Sequence, residues 1–195
     1  MMTTDLTGRR VLAIVTNYGI EQDELVKPVE HLREAGAHVD IAATTLDPIE
    51  TLVDDKKPGQ SVTPTITLDD ADPAAYGLLL VPGGTINADT LRTSERAVEI
   101  VRSVVDAHGA IAAICHAPWT LVESKVVSGK KLTSFPSLRT DVVNAGGDWV
   151  DQSVVRDDSS SWTLITSRNP DDIPDFLREI DKVLESLETP QQPVL

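Results

Sequence analysis

Residues 110–118 read Ala110-Ile-Ala-Ala-Ile-Cys115-His116-Ala117-Pro118. The first five are apolar, and so short a continuous run suits a strand buried on both faces, as in a parallel sheet. Pro118 suits the first position of a helix, where its missing N–H would have no partner anyway. A strand that passes into a helix through so few residues is the repeating unit of an α/β fold. Ala112 and Ala113 are small enough to allow the turn to be sharp.

Working outward, the same pattern recurs. Residues 11–15, 37–43 and 77–81 are further strand candidates, the last stopping at Pro82-Gly83-Gly84. Leu25, Val29, Leu32 and Ala35 repeat at helical spacing and Gly36 ends them. Pro28 costs least in a first turn, which puts that helix start at or just after Glu24. Residues 95–108 predict a helix burying Val98, Val101 and Val105, capped by Thr93 or Ser94. Residues 44–70 carry Pro48, Pro58, Gly59 and Pro64 and predict a β-hairpin or extended excursion from 50–53 and 61–68. Residues 131–134 predict a strand, 137–145 a helix, and 149–156 with 161–166 an antiparallel pair. Asp171 or Asp172 caps a last helix burying Leu177, Ile180, Leu184 and Leu187. This order predicts one α/β domain over residues 1–188, a mostly parallel sheet with helices on both faces and a small β excursion, and a disordered tail over 189–195. Ligands of such sheets bind outside the carboxyl ends of the strands. Three segments lie there: 16–24, 82–89 and 115–118.

Composition narrows the function. The chain has 195 residues, 17 Lys+Arg against 31 Asp+Glu, a net charge of −14 and one cysteine. Nucleic acid and anionic membranes need clustered basic residues, and no basic run exceeds two. A single cysteine can form neither an internal disulfide nor a thiolate-rich zinc site, so no metal is expected. There is neither a phosphate loop nor a G-x-G-x-x-G, and no cofactor is expected. Arg9-Arg10 precedes an apolar run of only five residues, too short for a signal peptide, and no stretch is long enough to span a membrane. These features are those of a cytoplasmic protein.

Cys115 is the first candidate for chemistry. A nearby helix start aims backbone N–H groups at the sulfur and is expected to lower the thiol pKa; a buried cysteine acting as a small hydrophobe is the ordinary alternative. His116 suits a proton shuttle or an oxyanion amide, although adjacent side chains at a sharp turn usually point apart. Gly83 and Gly84 let backbone amides approach a ligand, or merely punctuate the chain. Glu21 and Glu24 share a helix face if both are helical. A protonated carboxyl there could hydrogen-bond the sulfur, which requires a raised pKa; ordinary first-turn acids are the alternative. His31, His38 and His108 have no ligand spacing, and Trp119, Trp149 and Trp162 read as packing.

Taken together, Glu21-Gln-Asp-Glu24 with Pro28, Val81-Pro-Gly-Gly84, Ala113-Ile-Cys-His-Ala-Pro118, Gly129-Lys-Lys-Leu-Thr-Ser134, Asn144-Ala-Gly and Thr166-Ser-Arg-Asn-Pro-Asp-Asp172 resemble the ThiJ/PfpI superfamily. Within it the chain resembles PfpI-type, class I glutamine amidotransferase-like proteins. The resemblance implies a flavodoxin-like three-layer sandwich. It implies Cys115 as nucleophile, Glu24 as the protonated carboxyl beside it, Glu21 as a second acidic position, and His116 as the family's histidine, with Gly84 and His116 giving oxyanion amides. It also implies that Asp89 orients His116 across a subunit interface, so a homo-oligomer (a dimer or a trimer of dimers) is expected. Ala117 stands where many relatives have Gly and would narrow the pocket, and Gln22 replaces a common Asp.

The implied activity is that of a glyoxalase or deglycase on small 2-oxoaldehydes or glycated proteins and peptides. An intracellular cysteine peptidase or amidase is a second reading. A redox sensor of oxidative stress or chaperone-like protein is a non-enzymatic third.

Overall fold

The structure, a computed structural model, describes residues 4–187; the expected tail over 189–195 lies outside the described residues. The chain order is β1 Arg10–Ile14, β2 Tyr18–Glu21, α1 Gln22–Glu34, β3 His38–Ala43, β4 Ile49–Val53, β5 Lys57–Val62, β6 Ile66–Thr67 and β7 Leu78–Val81. There follow α2 Thr85–Leu91, α3 Glu95–Asp106, β8 Ala110–Ile114, α4 Pro118–Glu123, β9 Lys131–Leu132, α5 Arg139–Asn144, β10 Asp148–Trp149, β11 Val154–Asp157, β12 Thr163–Ser167 and α6 Ile173–Ser186.

Seven strands form the main sheet in the order β11-β12-β8-β7-β1-β3-β6. Every pairing is parallel except that of β11 with β12. Alternate strand residues feed opposite cores, as strand geometry requires. Val11, Ala13, Ala112 and Ile114 pack with Leu25, Val29 and Leu32 of α1 and Phe176, Ile180 and Leu184 of α6. Leu12, Ile14, Ile111 and Ala113 pack on the other face with Ala97, Ile100 and Val101 of α3, Leu121 of α4 and Val142 of α5. This is the expected flavodoxin-like three-layer sandwich with a mostly parallel sheet. Burying both faces explains why these strands read as unbroken apolar runs.

The excursion is real. The β4–β5 hairpin is antiparallel, and β4 also pairs in parallel with β2 to make a small separate sheet. Its second strand begins at Lys57, earlier than expected, and residues 66–67 instead extend the edge of the main sheet. Three other expectations are corrected. Trp149 does not lead into the antiparallel pair; Asp148–Trp149 pairs in parallel with Lys131–Leu132. The α1 helix starts at Gln22 rather than near Glu24, so Pro28 lies inside it. Pro28 leaves the Glu24 carbonyl without its helical donor, a cost that the burial of Leu25, Val29 and Leu32 overrides. Asp172 is the N-cap residue of α6, but it makes no capping bond; its carboxylate binds Arg168 instead.

The chain runs from β1 to β3 on one side and returns to β7 on the other. The ends of β1, β7 and β8 therefore open at the crevice where strand order reverses.

Candidate active site

Cys115 directly follows β8 and has φ +63°, a left-handed conformation that costs a non-glycine residue on the order of 1–3 kcal/mol. Two backbone bonds hold it there: its N–H donates to Ser167 O at 3.0 Å, and its carbonyl accepts Phe135 N–H at 2.9 Å. The turn swings the side chains of Cys115 and His116 together. The sulfur lies 3.1 Å from His116 Nδ1, a contact that adjacency alone argued against. Both residues are buried, at 4% and 5% exposure. The imidazole stacks on Phe135 at a centroid distance of 4.6 Å and lies 5.3 Å from Trp119.

Glu24 comes to the sulfur from α1 and is fully buried. Its Oε2 accepts the Gly83 N–H at 2.9 Å. Its Oε1 is buried without a hydrogen-bond partner, and the Cys115 thiol lies close enough to the carboxyl to act on its pKa. Burial pushes its pKa up to about 8, so the carboxyl is protonated at neutral pH. Gly83 is where the site closes: a Cβ there would meet Glu24 Oε2 at 2.5 Å and the Cys115 Cβ at 2.8 Å.

Two expectations about this site are corrected. The Gly83 amide is occupied by Glu24 and is not free for an oxyanion. The Gly84 N–H faces the sulfur, and His116 N–H has no backbone partner among the described residues. The second correction concerns the thiol itself. Burial, first, and the neighbouring Glu24, second, raise the Cys115 pKa rather than lower it; the Gly84 N–H opposes them. The α4 helix that was to lower it has only six residues. Desolvation likewise lowers the His116 pKa, so the resting pair is a neutral thiol and a neutral imidazole.

The remaining expected residues fall in different places. Glu21 ends β2 instead of sharing a helix face with Glu24. Its carboxylate accepts the N–H groups of Asp54 at 3.3 Å and Asp55 at 2.9 Å, and so grips the β4–β5 turn. Gln22 Oε1 accepts the Gln60 N–H at 2.8 Å and holds the same hairpin from its far strand. Ala117 is buried in the core on the α3/α4 face. Asp89 is exposed on α2 and paired with Arg92 at 2.8 Å; within one chain it makes no hydrogen bond to His116.

Sequence reasoning missed four residues here. Asn87 is fully buried; its amide oxygen accepts Thr16 N–H and Oγ1–H, and its NH₂ donates to the Pro82 and Gly83 carbonyls. It ties the end of β1 to the Pro-Gly-Gly turn. Thr85 and Ser137 each place a hydroxyl 3.4 Å from His116 Nε2. Asp55 receives the Thr85 N–H at 3.0 Å and the Thr85 hydroxyl at 2.8 Å. No local pattern announced them: Asp55, Thr85 and Asn87 lie on segments read as turn or loop, and Ser137 opens a stretch read only as a helix. Among the described residues no group of three His, Cys, Asp or Glu side chains is placed to hold a metal.

With this geometry in view, comparison with known proteins is decisive. The sequence profile of the DJ-1/PfpI family matches residues 9–182. The chain belongs to the DJ-1/PfpI family. It is 36% identical over 165 residues to the deglycase PfpI of Pyrococcus furiosus, covering 85% of this chain and 93% of that protein. It is 36% identical over 177 residues to the protein/nucleic acid deglycase 2 of Escherichia coli K12, covering 91% and 98%. The crystal structure of Drosophila melanogaster DJ-1beta superposes with a TM-score of 0.78 at 30% identity, covering 93% of this chain and 92% of the fly protein. The DJ-1/PfpI framework thus extends over nearly all the described residues.

Proposed function

We propose that this DJ-1/PfpI protein is a cytoplasmic deglycase-type enzyme that uses Cys115 as a covalent nucleophile on small 2-oxoaldehydes or on their adducts with proteins and peptides. The single observation that carries this reading is the Cys115–His116 contact of 3.1 Å, set against the protonated Glu24. Relatives named deglycase at 36% identity support the substrate class.

The proton arrangement suits attack on a carbonyl. The thiol donates to His116 Nδ1 and accepts from the Glu24 carboxyl and the Gly84 N–H. As sulfur adds to the aldehyde carbon, its proton passes to Nδ1 and the carbonyl π pair becomes an oxyanion beside the Gly84 and His116 amides. The imidazolium returns the proton to oxygen, giving a hemithioacetal. His116 then moves a proton from C1 to C2 through an enediol, leaving a 2-hydroxy thioester. Water cleaves the C–S bond, releasing a 2-hydroxy acid and restoring the thiol. The sum is one aldehyde plus one water, with no external oxidant. In a glycated amine, a hemiaminal, sulfur forms its bond to C1 as the C–N bond breaks, the amine leaves with the thiol proton passed on by His116, and the resulting hemithioacetal follows the same course.

Peptide hydrolysis fits less well. A peptide must reach a cysteine that is 4% exposed, and its amine leaving group needs an acid as well placed as His116 is for a small aldehyde. On the family resemblance we also propose that Asp89, exposed on α2, orients the His116 of a neighbouring copy in a homo-oligomer.

The test is turnover of methylglyoxal, followed as D- and L-lactate, with Cys115→Ala as control. Lactate from the wild type and a loss of about 10³-fold or more in the variant are expected. Equal turnover by both would sink the reading. An inactive wild type whose Cys115 gains oxygen mass with peroxide would replace it with the redox-sensor reading.

A further inference from the structure

The β4–β5 turn carries two consecutive non-glycine residues in the left-handed region, Asp54 and Asp55, both at φ +54°. Asp tolerates that region better than most residues, but two in succession are held there by something. The holder is Glu21, whose two carboxylate oxygens accept the two N–H groups of the turn. The result is an Asp55 side chain delivered across to the start of α2. There it takes both the N–H and the hydroxyl of Thr85. The same hydroxyl oxygen faces His116 Nε2 at 3.4 Å, and the opposite ring nitrogen faces the sulfur.

We infer that Asp55, acting through the Thr85 hydroxyl, is the in-chain positioning residue of His116. The reasoning is a matter of donors and acceptors. A Thr85 hydroxyl that gives its hydrogen to the Asp55 carboxylate has only lone pairs left for the ring. It therefore accepts from Nε2–H. That selects the tautomer whose lone pair is on Nδ1, the nitrogen that must take the Cys115 proton. When the imidazolium forms, the carboxylate one hydroxyl away stabilises it. Asp55 is the charge that raises the His116 pKa against desolvation. The 3.4 Å contact is long, as catalytic hydrogen bonds often are before substrate binds. The titratable groups facing His116 are Cys115 and, through Thr85, Asp55; Glu24 and Glu21 stand behind them, and Arg92 lies beyond Trp119.

The competing explanation is purely structural: Asp55 caps α2, which starts at a glycine without a side-chain cap. Thr85→Val separates the two, because it keeps the backbone N–H that Asp55 caps and removes only the hydroxyl.

The inference rests on Cys115 being the nucleophile, and two of its tests need no substrate. One is the tautomer and titration of ¹⁵N-labelled His116 by NMR. The other is the pH profile of Cys115 alkylation by iodoacetamide. Wild type is expected to show Nε2–H. Thr85→Val is expected to shift the tautomer balance and slow alkylation by about tenfold, with Thr85→Ser restoring both. Asp55→Asn, on the surface turn, is expected to lower the His116 midpoint. In methylglyoxal turnover both losses should appear in kcat with KM little changed. Thr85→Val with wild-type tautomer, titration and alkylation would overturn the inference, as would a loss found only in Ser137→Ala. An inactive wild type with the NMR and alkylation effects intact would overturn the carbonyl chemistry but leave this assignment standing.

Discussion

Glu24 shows what one residue contributes. Burial raises its pKa from 4.5 to about 8, so the folded state holds a proton that the unfolded chain releases. The native state binds more protons between those values, and stability falls as pH rises through that window. At pH 7 the penalty is on the order of 3 kcal/mol, from about 1.4 kcal/mol per unit. Glu24→Gln is neutral at every pH and keeps an acceptor for Gly83. It is expected to be more stable than wild type at pH 7–8 and no more stable at pH 4, by denaturant midpoint. Its turnover should fall, because an amide is a far weaker proton donor. The wild-type rate should itself decline above about pH 8 as the carboxyl ionises. A group that costs stability and aids chemistry is common at active sites. Chemistry of this kind was legible at Cys115 and His116 because a short strand, a cysteine, a histidine and a helix-starting proline were contiguous. The raised thiol pKa was not, because it depends on what covers the sulfur, and that cover comes from α1 and the Pro82 turn.

Among the elements, α1 and α6 lie side by side on one face of the sheet and are joined by His31 and Asp181. His31 Nε2 sits 2.9 and 3.0 Å from the two Asp181 oxygens. Asp181 raises the His31 pKa. The contribution is fully present below the unfolded value of about 6.5 and is lost as pH rises through the folded one. The ring is 36% exposed, so solvent screens much of it. Asp181→Asn is expected to cost a few tenths to about 1 kcal/mol at pH 6 and almost nothing at pH 9, by urea midpoint. The strands of the main sheet were readable from their runs. The short helix α2 was not: only Asn87, Ala88 and Leu91 are buried in it, too few to show a period. The pairing of β2 with the expected β4–β5 hairpin, and where β5 begins, escaped for a related reason. Much of β5 is exposed, and its position is set by Glu21 and Gln22, which lie far off in sequence.

The whole molecule brings a further partner into question, namely another copy of itself. Asp89 makes no hydrogen bond to the His116 of its own chain, so the role proposed for it requires a neighbour. Cys115→Ala and Asp89→Asn should each be impaired alone. Mixed and reassembled, they should recover roughly a quarter of wild-type turnover, since about half the dimers are mixed and each holds one intact site. No recovery, with size-exclusion chromatography showing that subunits exchange, would confine the site to one chain. On its own, the sequence determined the α/β class and pointed to Cys115, His116 and Glu24 at the strand ends, residues that the fold brings together. Those rest on local periodicity and on contiguous motifs, which a chain carries before it folds. Only the tertiary structure decided the protonation of Glu24, the loss of Gly83 as an oxyanion donor and the reach of Asp55 to His116. Each of these depends on desolvation or on a hydrogen bond between segments 30 or more residues apart, such as the 59 residues between Glu24 and Gly83. Neither exists until the sheet has assembled around the crevice.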